Sequence, residues 1–404
     1  MQDPLAWIDD EAEAWSLRGL ERRLVALGGS TPGRVGRDGR SLVNFASNDY
    51  LGLASDPRVV EAACSAAGRY GWGAGASPLV SGWREPHEAL AEGLARFEGV
   101  EAVGLFPTGF AANLGAIVAL VGPGDAVYSD RLNHACLFDG ARLSGARLRV
   151  YPHGDADRLG SILARDRGRF RRSMIATDGV FSMDGDLAPL AELADLAGRF
   201  GAILLVDEAH GTGVYGPGGR GASAALGVAD RVDVKVGTLS KALGSVGGFV
   251  AGSRRLIGWL VNHSRTMIYS TATPPPAAAA ALRALEIARD EPWRRSAVLG
   301  LARSLREALP GLGPGGPIVP IAVDGPAEAV ALASRLLDLG LLVPAIRPPT
   351  VPEGTARLRV SLTAAHRPGD LDRLVAALAG ARVAPGPGPA GAPDSAPNRP
   401  PAIP

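Results

Sequence analysis

Lys241 stands in the run Val236-Gly237-Thr238-Leu239-Ser240-Lys241-Ala242-Leu243-Gly244 and is one of only two lysines in the chain. Of the 42 basic residues, all but Lys235 and Lys241 are arginine. Arginine stays protonated, whereas a lysine amine can lose its proton to its surroundings and attack a carbonyl. A lysine kept among small residues in an arginine-rich chain therefore points to a Schiff-base-forming amine at Lys241. Lys235 reads as a chance survivor of the same composition.

Other chemistry-bearing residues recur just past apolar stretches. Thr108-Gly109-Phe110 follows Val100–Phe106, and His134 follows a stretch ending at Ser129-Asp130. Asp178 and Ser182 come after Met174–Thr177, while Asp207, Glu208 and His210 come after Ala202–Val206. Thr238 and Lys241 follow Val232–Val236. Each apolar stretch reads as a strand, with Arg147–Tyr151 and Gly248–Ala251 as further strands and helical patterns between them. Such alternation predicts an α/β fold with a mostly parallel sheet covered on both faces, and ligands at its carboxyl edge. Leu187–Phe200 is one of the helices, with Asp186 as its expected cap, and Thr273 to Pro276 opens a long alanine-rich one.

The flanking regions organise the rest. Residues 4–27 carry a loosely helical apolar pattern, and the glycine-rich residues 28–40 read as a connection before a short strand at 41–45. From about residue 295 the pattern restarts as a smaller α/β unit, with strands at 318–323, 341–346 and 356–362 and helices at 327–339 and 369–379. The expected divisions are an N-terminal helix and connection (1–40), a large domain (41–294), a small C-terminal α/β domain (295–383) and a disordered Pro/Gly/Ala-rich tail (384–404).

Composition excludes several classes. A formal net charge of +1 offers no electrostatic case for nucleic acid or an anionic membrane. The two cysteines, Cys64 and Cys136, make no disulfide framework or cysteine-rich metal site, and His87, His153, His263 and His366 lack metal-ligand spacing. The acidic N-terminal residues do not resemble a signal peptide, and no apolar run spans a bilayer, so a cytoplasmic enzyme is expected.

A carboxylate at one strand end, a phosphate cradle at a helix start and an amine on a later strand are the parts pyridoxal phosphate requires. A nearby aspartate keeps its pyridinium nitrogen protonated, and Asp207 suits that task. Helix-terminal amides at Gly109 and Phe110 suit the phosphate. Taken singly, Asp207 could be a structural cap, His134 a surface histidine and Cys136 a packed thiol rather than a nucleophile. The run Gly71-Trp72-Gly73-Ala74-Gly75 leaves a nicotinamide-dependent oxidoreductase as the reading from another class, although no apolar strand precedes it.

Five blocks carry a resemblance to a known family. They are Asn44 to Leu53, Thr108 to Asn113, Gly179 to Gly185, Asp207 to Gly213 and Thr238 to Lys241. Over residues 40–380 the chain resembles the α-oxoamine synthases, a branch of the fold-type-I pyridoxal-phosphate transferases with an aspartate-aminotransferase-like large domain. The resemblance implies that Lys241 bonds the cofactor, Asp207 pairs with its ring nitrogen, His210 meets the ring hydroxyl with Ser182 nearby, and His134 stacks on the ring. It also implies that Gly109, Phe110 and Thr238 hold the cofactor, with Ser270 and Thr271 reaching that of a second subunit in a homodimer. Asn48 and Arg359 would bind an amino-acid carboxylate, and Thr350 and Arg22 the acyl donor.

The block Ala345 to Arg359 resembles the branch members that condense L-alanine with a pimeloyl thioester, losing carbon dioxide. The carrier of the acyl group, acyl carrier protein or coenzyme A, stays open. So do sister reactions joining glycine or serine to acetyl, succinyl or long-chain acyl groups. A free lysine titrates near ~10.4, so a second duty for Lys241 as proton acceptor needs the site to lower that value.

Overall fold

The computed structural model describes residues 3–309 and 312–379, so the tail expected at 384–404 lies outside the described residues. The chain groups into two compact units. One comprises Asn48–Gly300 with Thr363–Ala365; of the described residues, the other comprises 3–47, 301–309, 312–362 and 366–379.

The larger unit is built on one seven-stranded sheet. Its strands are β1 (Ala102–Phe106), β2 (Ala126–Asp130), β3 (Arg147–Tyr151), β4 (Ser173–Asp178), β5 (Ile203–Asp207), β6 (Val234–Thr238) and β7 (Gly248–Gly252). The order is β1-β7-β6-β5-β4-β2-β3, parallel except that β7 runs against both its neighbours. Because side chains alternate across a sheet, neighbouring residues feed two separate cores. Tyr128, Ile175, Leu204 and Val206 pack into one with helices Ala156–Asp166 and Leu190–Phe200. Val127, Met174, Leu205 and Val236 pack into the other with helices Gly109–Leu120 and Ala135–Ser144. Both faces are thus dry, which leaves the carboxyl edge for chemistry.

Several expected boundaries shift for local reasons. Strand β6 ends at Thr238 rather than Val236, because Gly237 continues the ladder opposite Phe249. A Cβ at Gly237 would lie 2.2 Å from the Phe249 ring, so the glycine serves close packing and does not mark a strand end. Helix Leu190–Phe200 starts after Pro189 with no side-chain cap, and Asp186 bonds the His153 ring instead. A wide helical turn at Pro78–Gly82 was not anticipated.

In the smaller unit, helix Trp7–Leu17 is shorter than the apolar pattern and buries none of its residues. The supposed connection 28–40 contains a hairpin: Arg34–Arg37 pairs with Arg40–Asn44 across Asp38-Gly39, both at positive φ. That dipeptide is a strong two-residue turn signal. The expected strand 341–346 splits at Val343-Pro344. Leu341–Leu342 joins Arg40–Asn44 in parallel, while Ala345–Ile346 pairs with Arg357–Ser361. Strand Ile318–Ala322 completes that second sheet, and helices Pro326–Asp338 and Pro368–Leu378 accompany it.

Candidate active site

In the larger unit, three parallel strands end in aspartate (Asp130, Asp178, Asp207) and β6 ends in Thr238. Asp178 and Asp207 are direct register partners on β4 and β5. Lys241 lies three residues past β6, and its Nζ is 2.8 Å from His210 Nε2. The other nitrogen of that ring, Nδ1, is 2.6 Å from the Tyr50 hydroxyl, which also reaches Asn48 Oδ1 at 3.2 Å. Tyr50, Asn48, His210 and Lys241, dispersed in sequence, therefore form one chain of polar contacts.

Asp207 is buried and held at both oxygens. Asn113 Nδ2 donates to Oδ2 at 2.7 Å, and the Ala209 amide donates to Oδ1 at 2.7 Å. A carboxylate fixed in this way presents a defined charge, as a ring nitrogen that must stay protonated requires. Asn113 also donates to Gly109 O at 3.3 Å, tying the carboxylate to the helix start. Its own Oδ1 is buried without a partner.

His134 caps helix Ala135–Ser144, its Nδ1 accepting from the Cys136 amide at 3.3 Å with the Cys136 Sγ at 2.9 Å. Its backbone amide donates to Asp178 Oδ2 at 3.2 Å. Desolvation pushes its ring below the ordinary histidine value; Asp207 opposes that fall and Lys241 adds to it. A neutral ring is suited to stacking on a flat partner. Burial, joined by the adjacent Asp207 charge, lifts the Asp178 carboxyl well above the usual range, with Lys241 opposing. Burial likewise raises the Cys136 thiol, so Cys136 is a packed, inert cysteine.

Beyond β1, Thr108 caps helix Gly109–Leu120 by accepting from the Ala111 amide at 3.0 Å. The first helical amides, of Gly109 and Phe110, have no acceptor within the helix. A Cβ on Gly109 would stand 3.2 Å from Thr238 Cβ, a tight approach that a bare glycine backbone avoids. Thr238 Oγ1 in turn lies 2.8 Å from Ser240 Oγ. Phe110 meets His134 edge-on, ring centres 6.4 Å apart. Cradle, anchored carboxylate and amine lie on one sheet edge, and the set fits pyridoxal phosphate, which Gly109, Phe110 and Thr238 would hold at its phosphate, Asp207 at its ring nitrogen and Lys241 at its aldehyde.

Ser182 is half-buried in the turn after β4, where the Phe181 amide donates to Asp186 O and the Gly185 amide donates to Phe181 O. Ser270 and Thr271 lie in the stretch after helix Arg265–Ile268 and make no side-chain hydrogen bond among the described residues. The glycine run at 71–75 follows helix Pro57–Tyr70, not a strand, and the next residue, Ala76, accepts from the Ala272 amide at 3.0 Å. That placement removes the dinucleotide reading.

In the smaller unit, Arg22 donates to Thr350 Oγ1 at 3.2 Å and to Pro348 O at 3.5 Å, joining the two residues expected at the acyl donor. Arg347 donates to the carbonyls of Gly19 and Glu21, fastening the segment that carries Arg22. Burial and then Arg22 lower the Arg347 value. Arg359 is buried, with Nη1 2.7 Å from Ser361 Oγ.

Lys235 is not a compositional accident. Its Nζ is buried against Glu98 Oε2 at 2.8 Å, and burial lifts Glu98 to about 7 even with that ammonium beside it. Glu208 is structural: its carboxylate accepts from the Ala222 and Ser223 amides, both at 2.7 Å.

Residues 40–378 match the family model for aminotransferase class I and II. The chain is 56% identical over 347 residues to an 8-amino-7-oxononanoate synthase of Alkalilimnicola ehrlichii, covering 84% of this chain and 88% of that one. It is 52% identical over 380 residues to that of Anaeromyxobacter dehalogenans strain 2CP-1, covering 93% and 95%. The chain belongs to the α-oxoamine synthases. As a member of that fold-type-I family it is a pyridoxal-phosphate-dependent acyltransferase, and its relatives place it with biotin biosynthesis. The α-oxoamine synthase fold is shared across substrates: a serine palmitoyltransferase of Sphingomonas wittichii superposes with a TM-score of 0.87 at 31% identity, covering 93% of this chain and 97% of that one. No helix among the described residues is long and apolar enough to cross a membrane.

Proposed function

We propose that the chain condenses L-alanine with a pimeloyl thioester, releasing carbon dioxide and 8-amino-7-oxononanoate for biotin synthesis in the cytoplasm. The observation that carries the reaction class is Lys241 Nζ at 2.8 Å from His210 Nε2, in the same unit as the doubly anchored Asp207. When bound, pyridoxal phosphate supplies the electron sink that stabilises a carbanion beside the amino group. Lys241 Nζ would hold the cofactor at rest and serve as the base that takes the proton from alanine Cα. Asp207 keeps the proton on the ring nitrogen, and Asn113 keeps Asp207 in place. His210 would meet the ring hydroxyl with Ser182 nearby, and His134 would stack on the ring face. Asn48 would meet the amino-acid carboxylate.

The acyl chain is argued from charge. A pimeloyl group ends in a carboxylate, and Arg22 beside Thr350 offers it a cation and a hydroxyl. A long apolar chain such as palmitoyl would leave that guanidinium without use. The functional form is proposed to be a homodimer, in which Ser270 and Thr271 serve the partner's phosphate.

Product identification by mass spectrometry tests the proposal, with alanine, glycine and serine each offered pimeloyl, acetyl and palmitoyl donors. The expected product is 8-amino-7-oxononanoate from alanine and pimeloyl on acyl carrier protein or coenzyme A. Turnover of acetyl or palmitoyl donors with no pimeloyl product would overturn it.

A further inference from the structure

His87 has no part in the roles assigned above, yet it is buried, 1% exposed, in the first turn of helix Glu85–Glu98. Its Nδ1 accepts from the Arg84 amide at 3.0 Å, at the helix position where a capping box ordinarily carries glutamate or glutamine. Its Nε2 lies 2.7 Å from the Thr273 carbonyl oxygen, 186 positions along the chain. A backbone amide only donates and a carbonyl only accepts, so one form satisfies both contacts: the neutral ring with its proton on Nε2. Burial, the largest influence, holds the ring below the ordinary histidine value, in keeping with that neutral form. Trp83 stacks on the ring, with centres 5.5 Å and planes 27° apart.

The distant partner matters because of the residues beside it. Residues 270–274 belong to no helix or strand, so individual bonds set their place. The Ala272 amide donates to Ala76 O at 3.0 Å, and the carbonyl of the next residue takes the His87 proton. Ala272 and Thr273 are buried, whereas Ser270 is half-buried and Thr271 exposed. A cavity of about 10 Å³, lined in part by Trp83, His87, Ser270 and Thr271, is at the limit for a single water, so the stretch packs closely on the helix start. One end of the stretch is clamped and the other offers its hydroxyls. We propose that His87 is a positioning residue for the cofactor: its Nε2 proton fixes Thr273 and thereby sets Ser270 and Thr271 for the phosphate of the partner subunit's cofactor. It acts through the backbone of 270–273 and touches neither substrate nor cofactor. The proposal rests on the phosphate-binding reading of Ser270 and Thr271 given above.

Full-length holoenzyme tests this with a pair of replacements. Glutamine can place a side-chain N–H where Nε2 stands, whereas asparagine can accept from the Arg84 amide but is too short to reach Thr273. In equilibrium dialysis His87→Asn is expected to bind pyridoxal phosphate about tenfold more weakly, the worth of one hydrogen bond, and His87→Gln to bind it as wild type does. The phosphorus NMR signal of the bound phosphate should move in His87→Asn alone. A residue that only caps its helix would leave affinity and signal the same in all three proteins, and that result overturns the proposal. Should His87→Asn fail to fold, nitrogen NMR of the wild-type holoenzyme with isotope-labelled histidine, assigned through His87→Gln, replaces it. A proton on Nε2 with Nδ1 bare supports the proposal, and a proton on Nδ1 overturns it. The underlying reading fails separately: if Ser270→Ala combined with Thr271→Val keeps wild-type affinity while His87→Asn loses it, the two hydroxyls do not serve the phosphate, and the proposal falls with them.

Discussion

Asn113 Nδ2 lies 2.7 Å from Asp207 Oδ2, joining a helix residue to a strand end 94 positions away. The carboxylate proposed to face the cofactor ring is thus aimed by a neutral amide, and Asn113→Ala would leave it loosely held. A hydrogen bond to a charged group is worth roughly 1.5–3 kcal/mol, so cofactor retention should weaken about tenfold to a hundredfold. Equilibrium dialysis against pyridoxal phosphate measures it, and unchanged affinity would make Asn113 a packing residue only.

The buried pair of Lys235 and Glu98 predicts an asymmetry between single and double replacements. Lys235→Met strands Glu98 in the core and should cost about 3–5 kcal/mol of stability. Replacing both residues with methionine should recover most of that loss, because two apolar side chains need no desolvation. Denaturant unfolding of the three proteins checks this, and equal losses in single and double variants would contradict it.

His153 gives stability a pH dependence with a definite sign. Burial alone would lower its value, but hydrogen bonds to Asp130 at 3.0 Å and Asp186 at 2.9 Å raise it from 6.5 to about 10. The folded chain therefore binds this proton more tightly than the unfolded chain does. The contribution is complete below the unfolded value and is lost as pH rises through the folded one. His153→Gln should melt well below wild type near pH 6, with the gap closing by about pH 10.5. A gap that widened with alkali would refute the assignment.

Arg22 predicts donor selectivity. Arg22→Gln should raise KM for a pimeloyl donor about tenfold or more, the usual worth of a charge-assisted hydrogen bond. Any slow turnover of an acetyl donor should be unaffected. Equal losses on both donors would place Arg22 in fold maintenance instead.

Much of the site could be read in the sequence because strand ends announce themselves: Asp207, Thr238 and Lys241 all follow apolar runs. The α/β order and the parallel sheet were legible for the same reason. Asn113 was the readable omission, a polar residue one helical turn past Gly109 in an otherwise apolar helix. Tyr50 was not readable, since its partner His210 is 160 positions away and nothing local signals the contact. The burial of Lys235 against Glu98 is not legible, because composition says nothing about burial. The hairpin at Asp38-Gly39 is masked by the surrounding glycines, which read as a connection.

The central claim is that Lys241 is the amine that carries the cofactor, and the chain contains only one other lysine to compete with it. Borohydride reduction of the purified protein, followed by proteolysis and peptide mass spectrometry, locates that bond. Reduced cofactor is expected on the peptide containing Lys241 and none on the peptide containing Lys235. Label on Lys235, or on neither lysine of a protein saturated with pyridoxal phosphate, would contradict it.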